Sequence, residues 1–255
     1  MQVLLSPAKN LDTRQATQIK DYTLPVFTEE AKYLINQLKK LDVNEISRLM
    51  NINHDLAGLN KQRYAAWHLP FDKSNAKEAL LTFDGEVFKK MNPGDFDEKE
   101  LHFAQDHFTI LSGLYGALRP LDLMQPYRLE MGTKLSTSYG KNLYEYWGHK
   151  ITGFVNERLS HDTDQSLVNL ASQEYTKAIT FKNLHASQII TPVFKDHKNG
   201  KYQVIFIFAK QMRGKMSRFI IKNQPQDVNE IKLFSEDGYA YDDNLSSDNQ
   251  WVFTR

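Results

Sequence analysis

Short apolar runs along the chain predict several buried β-strands. Each run is bounded by polar or turn-forming residues and is shorter than an ordinary helix. The candidates are Val3–Leu5, Ala79–Phe83, Phe108–Leu111, Leu167–Leu170, Gly238–Tyr241 and Trp251–Phe253. The clearest hairpin joins Ser187–Lys195 to Lys201–Ala209, because the intervening Asn-Gly pair favours the positive φ angles of a tight turn.

Apolar residues at helical spacing predict amphipathic helices between these strands. The candidates are Thr28–Leu41, Asp42–Met50, Lys61–Trp67, Asp97–His107, Lys141–Leu159 and Gln211–Lys222, with a short helix near Glu174. Asp42 followed by Glu45 has the pattern of a capping box, and Thr28 is suited to be an N-cap. We therefore expect a mixed α/β fold with a central mixed sheet and peripheral helices, formed by a single domain over residues 1–255.

Residues 112–132 form the most unusual segment of the chain. It contains three Gly, two Pro, two Tyr and two Arg, and its two X-Pro steps disfavour helix. We expect an ordered connection with little helix of its own. Ordering such a loop costs entropy, so long ordered loops are commonly functional. Arg119 and Arg128 are its natural anion contacts.

Charge is unevenly distributed, although the net charge is only +1. Residues 84–106 carry seven acids and three bases, and residues 223–255 carry seven acids and two bases. Residues 107–222 hold sixteen bases and eight acids. This distribution either creates a basic face that binds a polyanion or is spread over the surface as solvated charge.

The absence of cysteine excludes several kinds of chemistry. Disulfides, thiolate metal sites, Fe–S clusters and peroxidatic thiols cannot form within this chain. The apolar run Val204–Ala209 is too short to span a bilayer, and the N-terminus has no secretory pattern. We expect a cytoplasmic protein without membrane contact.

Several long strings in the same order resemble the YaaA family of bacterial peroxide-stress proteins. They are Ser6–Asp12, Leu56–Asn60, Ser112–Gly132, Asn169–Ser172 with Glu174-Tyr175, and Arg213–Ile221. The resemblance implies a role in the peroxide-stress response and a link to lowering free intracellular iron. It also raises the expectation of contact with double-stranded DNA, made through the DNA backbone with little sequence specificity, by which the protein would limit oxidative DNA damage.

Residues 45–67 are the helix-hairpin-helix candidate. Gly58 and Leu59, with Asn60 in place of a second Gly, are similar to the tight turn with which non-specific DNA binders aim backbone N–H groups at a phosphate. Lys61 and Arg63 follow and could contact the flanking phosphates. The alternative is a plain helical hairpin packed on the sheet.

The segment Lys210–Lys222 has five bases and no acid. At about 100° per residue, Lys215, Arg218 and Lys222 fall on one side of the helix, where they either bind DNA or form a solvated basic face. Gly214 within this helix indicates close approach of another backbone.

A pocket lined by cations is the second candidate site. Its anion-binding residues are Lys9, Arg119, Arg128, Lys210 and Arg213, and the residues that could accompany them are Tyr115, Glu130, Trp147, Glu174 and Tyr175. Such a pocket suits a nucleotide, a flipped base or another phosphate-bearing small molecule, and would allow a nucleotide- or nucleobase-processing activity. Alternatively, the carboxylates pair with the arginines in a structural network.

Other motifs predict neither catalysis nor a cofactor. Ser6-x-x-Lys9 and Ser247-Asp-Asn249 are similar to penicillin-binding enzymes, but the third Lys-Thr-Gly element is missing. Glu98, His102 and Asp106 share a helix face suited to a divalent metal, or to a solvated acidic surface. We expect neither a metal nor a cofactor, find no complete catalytic motif, and infer no protein partner.

Overall fold

The computed structural model describes residues 1–14, 19 and 21–255, and a mixed β-sheet forms its centre. The predicted α/β class with a central mixed sheet is confirmed. The strands are β1 Gln2–Leu5, β2 Lys77–Glu78, β3 Phe108–Ser112, β4 Gly116–Leu118, β5 Leu123–Met124, β6 Ser166–Asn169, β7 Gln188–Lys198, β8 Lys201–Gln203, β9 Ala240–Tyr241 and β10 Gln250–Thr254. β1 and β3 are buried along their whole length, as in sheets covered on both faces.

The order of strands in the main sheet creates a crevice at one edge. The order is β4-β3-β1-β6-β7-β10-β9, and β8 pairs with the far end of β7. The strands from β3 to β10 in this order are parallel, so their carboxyl ends lie at the same edge. β1 leads to β3 on one side, whereas β6 leads to β7 on the other. The loops after β1 and β6 therefore diverge, and open parallel sheets usually bind ligands at such a point.

Helices cover the sheet, and several begin where their side chains cap them. They are α1 Thr28–Leu38, α2 Val43–Met50, α3 His54–Ala66, α4 Ala79–Thr82, α5 Glu86–Met91, α6 Glu98–His107, α7 Leu143–Trp147, α8 Lys150–Ser160, α9 Gln173–Thr176 and α10 Phe206–Asn223. The capping box of Asp42 and Glu45 is confirmed, and Asp97 with Glu100 forms another at α6. α1 begins after Phe27, without a side-chain cap. No helix in the described part of the chain combines the length and apolar character needed to cross a bilayer.

Several predicted elements are wrong in type or extent, among them the helix predicted at 61–67, which begins at His54. The strand predicted at 79–83 is instead helix α4 over Ala79–Thr82, whose Ala79 and Leu80 amides donate to the carbonyls of residues 122 and 120. The predicted strand 201–209 ends at Gln203, and α10 begins three residues later. The predicted helix 141–159 is divided at Gly148, whose φ of 47° separates α7 from α8. Short apolar runs fit either a buried strand or a buried helical turn, so their pattern alone cannot distinguish the two.

Residues 112–132 cross the core and contain no helix, as predicted. The Ser112 and Tyr127 hydroxyls are hydrogen-bonded at 2.6 Å, and the Trp147 indole donates to the Gly113 carbonyl at 3.1 Å. Gly116 has φ 67°, and a β-carbon there would lie 2.7 Å from the Trp147 ring. Much of this unusual composition therefore serves packing and hydrogen bonding inside the protein.

Candidate functional site

The carboxyl edge of the sheet brings together polar residues from distant parts of the chain. Ser6 follows β1, and Ser172 follows β6 across the crevice. The Ser172 amide donates to the Ser6 hydroxyl at 2.8 Å, and the Ser6 hydroxyl donates to that of Ser172 at 3.2 Å. These bonds hold the two loops together where the sheet topology predicts a ligand. We call the group formed by Ser6, Lys9, Arg63, Arg128, Glu130, Ser172 and Glu174 the carboxyl-edge cluster.

Glu130 joins two of the predicted anion-binding cations. Its Oε2 lies 2.8 Å from Lys9 Nζ, and its Oε1 accepts from Arg128 Nη2 at 2.8 Å. Lys9 is largely exposed, whereas the Arg128 side chain is only 13% exposed. Arg128 Nε is buried and forms no hydrogen bond with the described residues.

Arg63 extends the cluster from helix α3. Burial lowers the pKa of the Arg63 guanidinium, and the nearby positive charge of Arg128 lowers it further. Within the described residues Arg63 has no carboxylate partner, and its Nη1 makes only a 3.4 Å bond to Asn60 Oδ1. Tyr64 anchors the same helix, because its hydroxyl donates to the Arg128 carbonyl. Of these two neighbouring guanidiniums only that of Arg128 is paired with a carboxylate, so the uncompensated charge of Arg63 favours an anion.

Glu174 closes the other side of the cluster. Its Oε1 accepts from the Gly132 amide at 3.0 Å, and its carbonyl accepts from the Tyr144 hydroxyl at 3.0 Å. Glu174 thereby ties the end of segment 112–132 to the loop after β6. The cluster contains three cations, two carboxylates and two hydroxyls, which suits a phosphate carrying polar substituents.

The predicted tight turn at residues 58–60 is absent. Gly58, Leu59 and Asn60 lie inside the continuous helix α3, so their amides are used within the helix. The bend between α2 and α3 lies at residues 51–53, where Asn51 is left-handed at φ 50° and Asn53 caps α3 through the Leu56 amide. Asn residues at these positions were the available signal, because Asn favours both left-handed caps and N-caps.

The side chains around this position also have local partners. Asn60 is fully buried and donates to the Leu56 carbonyl at 2.8 Å. Lys61 donates to the carbonyls of Lys39 and Leu41, at 2.7 and 2.6 Å, and so caps the end of α1. The structure thus contains a helical hairpin over residues 43–66, without a Gly-hydrophobic-Gly turn.

Replacing Gly58 with alanine distinguishes a helical glycine from a turn glycine. A β-carbon at Gly58 would meet nothing within 4 Å. We expect the substitution to raise the unfolding free energy by about 0.5–1 kcal/mol, because alanine restricts the unfolded chain and favours helix. Urea unfolding measures this change. A loss of stability, or a large loss of DNA affinity, would instead indicate a tight turn against a phosphate.

Arg119 lies outside the cluster and pairs with an acid inside the protein. Its Nη2 and Nε lie 2.9 and 3.2 Å from Asp122 Oδ1, and its amide donates to Asp122 Oδ2 at 2.7 Å. Nη2 also donates to the Leu24 carbonyl at 3.0 Å. These bonds belong to a structural network, the alternative that the sequence left open for this arginine.

The basic face predicted for α10 is largely neutralised. Lys215 lies 2.6 Å from Asp237, Arg218 is 2.7 Å from Asp95, and Lys222 is 2.8 Å from Glu100. These acids come from the two acid-rich segments, which fold against the helix. Lys210 and Arg213 form no ion pair with the described residues, and no contact among those residues joins them to the carboxyl-edge cluster.

A separate cleft of about 840 Å³ lies between the helices α4 to α6 and the residues Asp12, Arg14, Ile19 and Asp21. At its rim His102 Nε2 lies 3.4 Å from Asp21 and 4.0 Å from Glu98. The potential metal ligands are therefore Asp21, Glu98 and His102, without Asp106. All three are exposed, and solvated acidic groups of this kind are common on protein surfaces.

Comparison with known proteins decides the family. The family model described as "Peroxide stress protein YaaA" matches residues 1–245. The chain belongs to the YaaA family. A UPF0246 protein of Colwellia psychrerythraea is 48% identical over 255 residues, covering all of this chain and 99% of the relative. A UPF0246 protein of Neisseria gonorrhoeae is 45% identical over 252 residues, covering 99% of this chain and 97% of the relative.

Within this YaaA family member, sequence reasoning found part of the cluster and missed part of it. Lys9, Arg128 and Glu130 were expected to accompany one another, and the structure brings them into contact. Ser6 and Ser172 were not predicted as partners. Their position directly after two parallel strands was a usable signal, because such residues meet at one edge of a sheet.

Proposed function

We propose that this YaaA family protein binds DNA through the phosphate backbone, with little sequence specificity, and thereby limits oxidative damage to DNA. The observation that carries the proposal is the Arg63–Arg128 pair, two partly buried neighbouring guanidiniums of which only Arg128 is paired with a carboxylate, that of Glu130. A phosphate placed there would compensate the unbalanced charge, and arginine forks match phosphate geometry.

Further positive charge at the same edge of the sheet supports an extended polyanion. Lys9 adds an exposed ammonium after β1. β7 is parallel to β6, next in the sheet, and its carboxyl end carries Lys198 and Lys201 at the turn into β8. A DNA backbone presents phosphates at regular intervals, so charges spread along one edge are suited to follow it.

The test compares two arginines that differ in their partners. Arg63→Gln removes the uncompensated guanidinium, whereas Arg218→Gln removes one that is paired with Asp95. We expect Arg63→Gln to weaken binding to a short duplex roughly 5- to 10-fold near 0.1 M salt, and to reduce the slope of log K against log salt by about 1. Fluorescence anisotropy over a range of salt concentrations measures both.

Arg218→Gln should leave duplex affinity unchanged. Equal affinities for the parent and the Arg63→Gln variant, or affinity of the parent that does not depend on salt, would contradict the proposal.

A nucleotide or another phosphate-bearing small molecule is the second candidate ligand. The observation that favours it is the hydrogen-bonded pair of Ser6 and Ser172 at the diverging loops of β1 and β6, with Glu174 two residues after Ser172. Hydroxyls and carboxylates there could recognise a sugar or base while the arginines hold a phosphate. Thermal stabilisation by one member of a nucleotide panel, without stabilisation by duplex DNA, would favour this candidate.

A further inference from the structure

The end of β7, the turn after it, β8 and the start of α10 form a projecting arm, which we define as residues 196–207. β7 last pairs with β6 at Ile190 but stays paired with β10 as far as Lys195, and the His197 amide donates to the Arg255 carbonyl, so the chain leaves the sheet only after His197. It then turns at Asn199 and Gly200, whose φ angles are 54° and 73°, as the Asn-Gly pair predicted. The arm therefore extends from the carboxyl edge of the sheet.

Large apolar side chains are exposed on this arm. Phe206 is 82% exposed and Tyr202 is 45% exposed, and Val204 and Ile207 are exposed beside them. A contiguous group of exposed apolar residues on a soluble domain commonly marks an interaction site. The first turn of α10 is fixed, because the Phe208 ring packs against the Arg255 guanidinium at 4.6 Å and Ala209 is buried. Phe206 is thus presented by an anchored helix start.

The arm also carries positive charge, because its one acid, Asp196, is buried and already paired with Arg255. Residues 197–226 contain no Asp or Glu. Lys198, Lys201 and Lys210 form no ion pair with the described residues, in contrast to Lys215, Arg218 and Lys222 farther along α10. Lys210 follows Phe206 by four residues in the helix, so the two side chains share one face.

We propose that this arm is a stacking site for unpaired bases of DNA, with Phe206 and Tyr202 as the aromatic surfaces, and with Lys198, Lys201 and the adjoining Lys210 of α10 as phosphate contacts. The inference rests on the proposed function and deepens it, because it names DNA with accessible bases as the preferred ligand. Exposed rings beside unpaired lysines are the combination with which proteins bind single strands. Within a duplex the faces of the bases are already stacked on one another, so they are not accessible to the Phe206 and Tyr202 rings.

The charge of the arm disfavours a second copy of this chain as its partner. A symmetric contact would place the same uncompensated lysines opposite each other, and like charges across an interface cost free energy. An anionic polymer instead neutralises them. The arm leaves the same sheet edge as the carboxyl-edge cluster, so one strand could contact both.

The test uses a single strand of about 20 nucleotides that contains 2-aminopurine, together with its blunt duplex. We expect Phe206→Ala to weaken single-strand binding about 5- to 100-fold and to abolish the change in 2-aminopurine fluorescence. Tyr202→Ala should act in the same direction. Duplex affinity and melting temperature should stay at the parent values. Leu233→Ala is the matched control, since Leu233 is 73% exposed and lies outside the arm.

A second variant keeps the test independent of folding. Phe206→Trp should retain single-strand affinity, and its tryptophan fluorescence should be quenched on addition of the strand. Unchanged single-strand affinity in Phe206→Ala would overturn the inference. Two other results would overturn it if Phe206→Ala left single-strand binding unaffected. In one, phosphatidylserine vesicles capture the parent protein but not the variant. In the other, the parent protein forms a dimer that dissociates in the variant.

The inference and the proposed function fail in different ways. If Arg63→Gln has no effect on duplex binding while Phe206→Ala still weakens single-strand binding, the arginine pair is not the phosphate site and the arm stands. If Arg63→Gln weakens duplex binding while Phe206→Ala leaves single-strand binding unchanged, only the arm is excluded.

Discussion

Arg119→Met is expected to lower the unfolding free energy by about 3–5 kcal/mol. The substitution removes the guanidinium that neutralises Asp122, whose side chain is only 1% exposed. Asp122 would keep its 2.6 Å bond from the Thr23 hydroxyl and the bond from the residue 119 amide, but its charge would be left without its ion-pair partner. Burial already raises the pKa of Asp122 against the lowering effect of Arg119. Urea unfolding at neutral pH measures the loss.

Two further measurements separate a structural arginine from an anion-binding one. Without Arg119, burial favours the protonated form of the Asp122 carboxyl, so the pKa of Asp122 is higher in the folded than in the unfolded protein. The unfolding free energy therefore falls as pH rises through the folded-state pKa of Asp122. The deficit of the variant should therefore be largest at neutral pH and smaller in acid. The double variant Arg119→Met/Asp122→Asn should recover part of the loss. Weaker DNA binding by a fully folded Arg119→Met protein would show that Arg119 contacts the ligand.

Gly214→Ala is expected to lower the unfolding free energy by more than about 2 kcal/mol. A β-carbon at Gly214 would lie 2.2 Å from the Val87 carbonyl oxygen and 2.9 Å from the Lys90 β-carbon. The first contact is with backbone, so α10 and α5 would have to separate to relieve it. The short distance to the Val87 carbonyl confirms the close approach of another backbone that Gly214 predicted from the sequence. Thermal and urea unfolding measure the change.

Gly153→Ala is the matched control for this substitution. Gly153 also lies within a helix, α8, but nothing stands within 4 Å of its β-carbon position. Alanine there should stabilise the protein by about 0.5–1 kcal/mol, because it favours helix and costs nothing in packing. Similar effects of the two substitutions would mean that α10 and α5 do not pack as closely as the structure indicates.

The composition of a segment predicts its net charge but not whether its charged side chains are paired. The excess of bases in residues 107–222 was clear from the sequence, but the neutralisation of those on α10 by Asp237, Asp95 and Glu100 was not. Asp95 and Glu100 pair with Arg218 and Lys222 from more than a hundred residues away. Linear distance gives no information about such pairs, because the fold determines which segments meet.

Local pattern by itself determined β1, β3, β6, β7 and β10 of the central sheet, the capped starts of α2 and α6, and the Asn-Gly turn after β7. These features depend on neighbouring residues, through periodicity, capping and allowed φ angles. Only the tertiary structure decided that residues 58–60 are helical, that Arg119 neutralises Asp122, and that Arg63 joins Arg128. Each of these three features depends on which groups from distant parts of the chain become partners of an amide, a carboxylate or a guanidinium. Those partners are determined only when the helices and strands pack together.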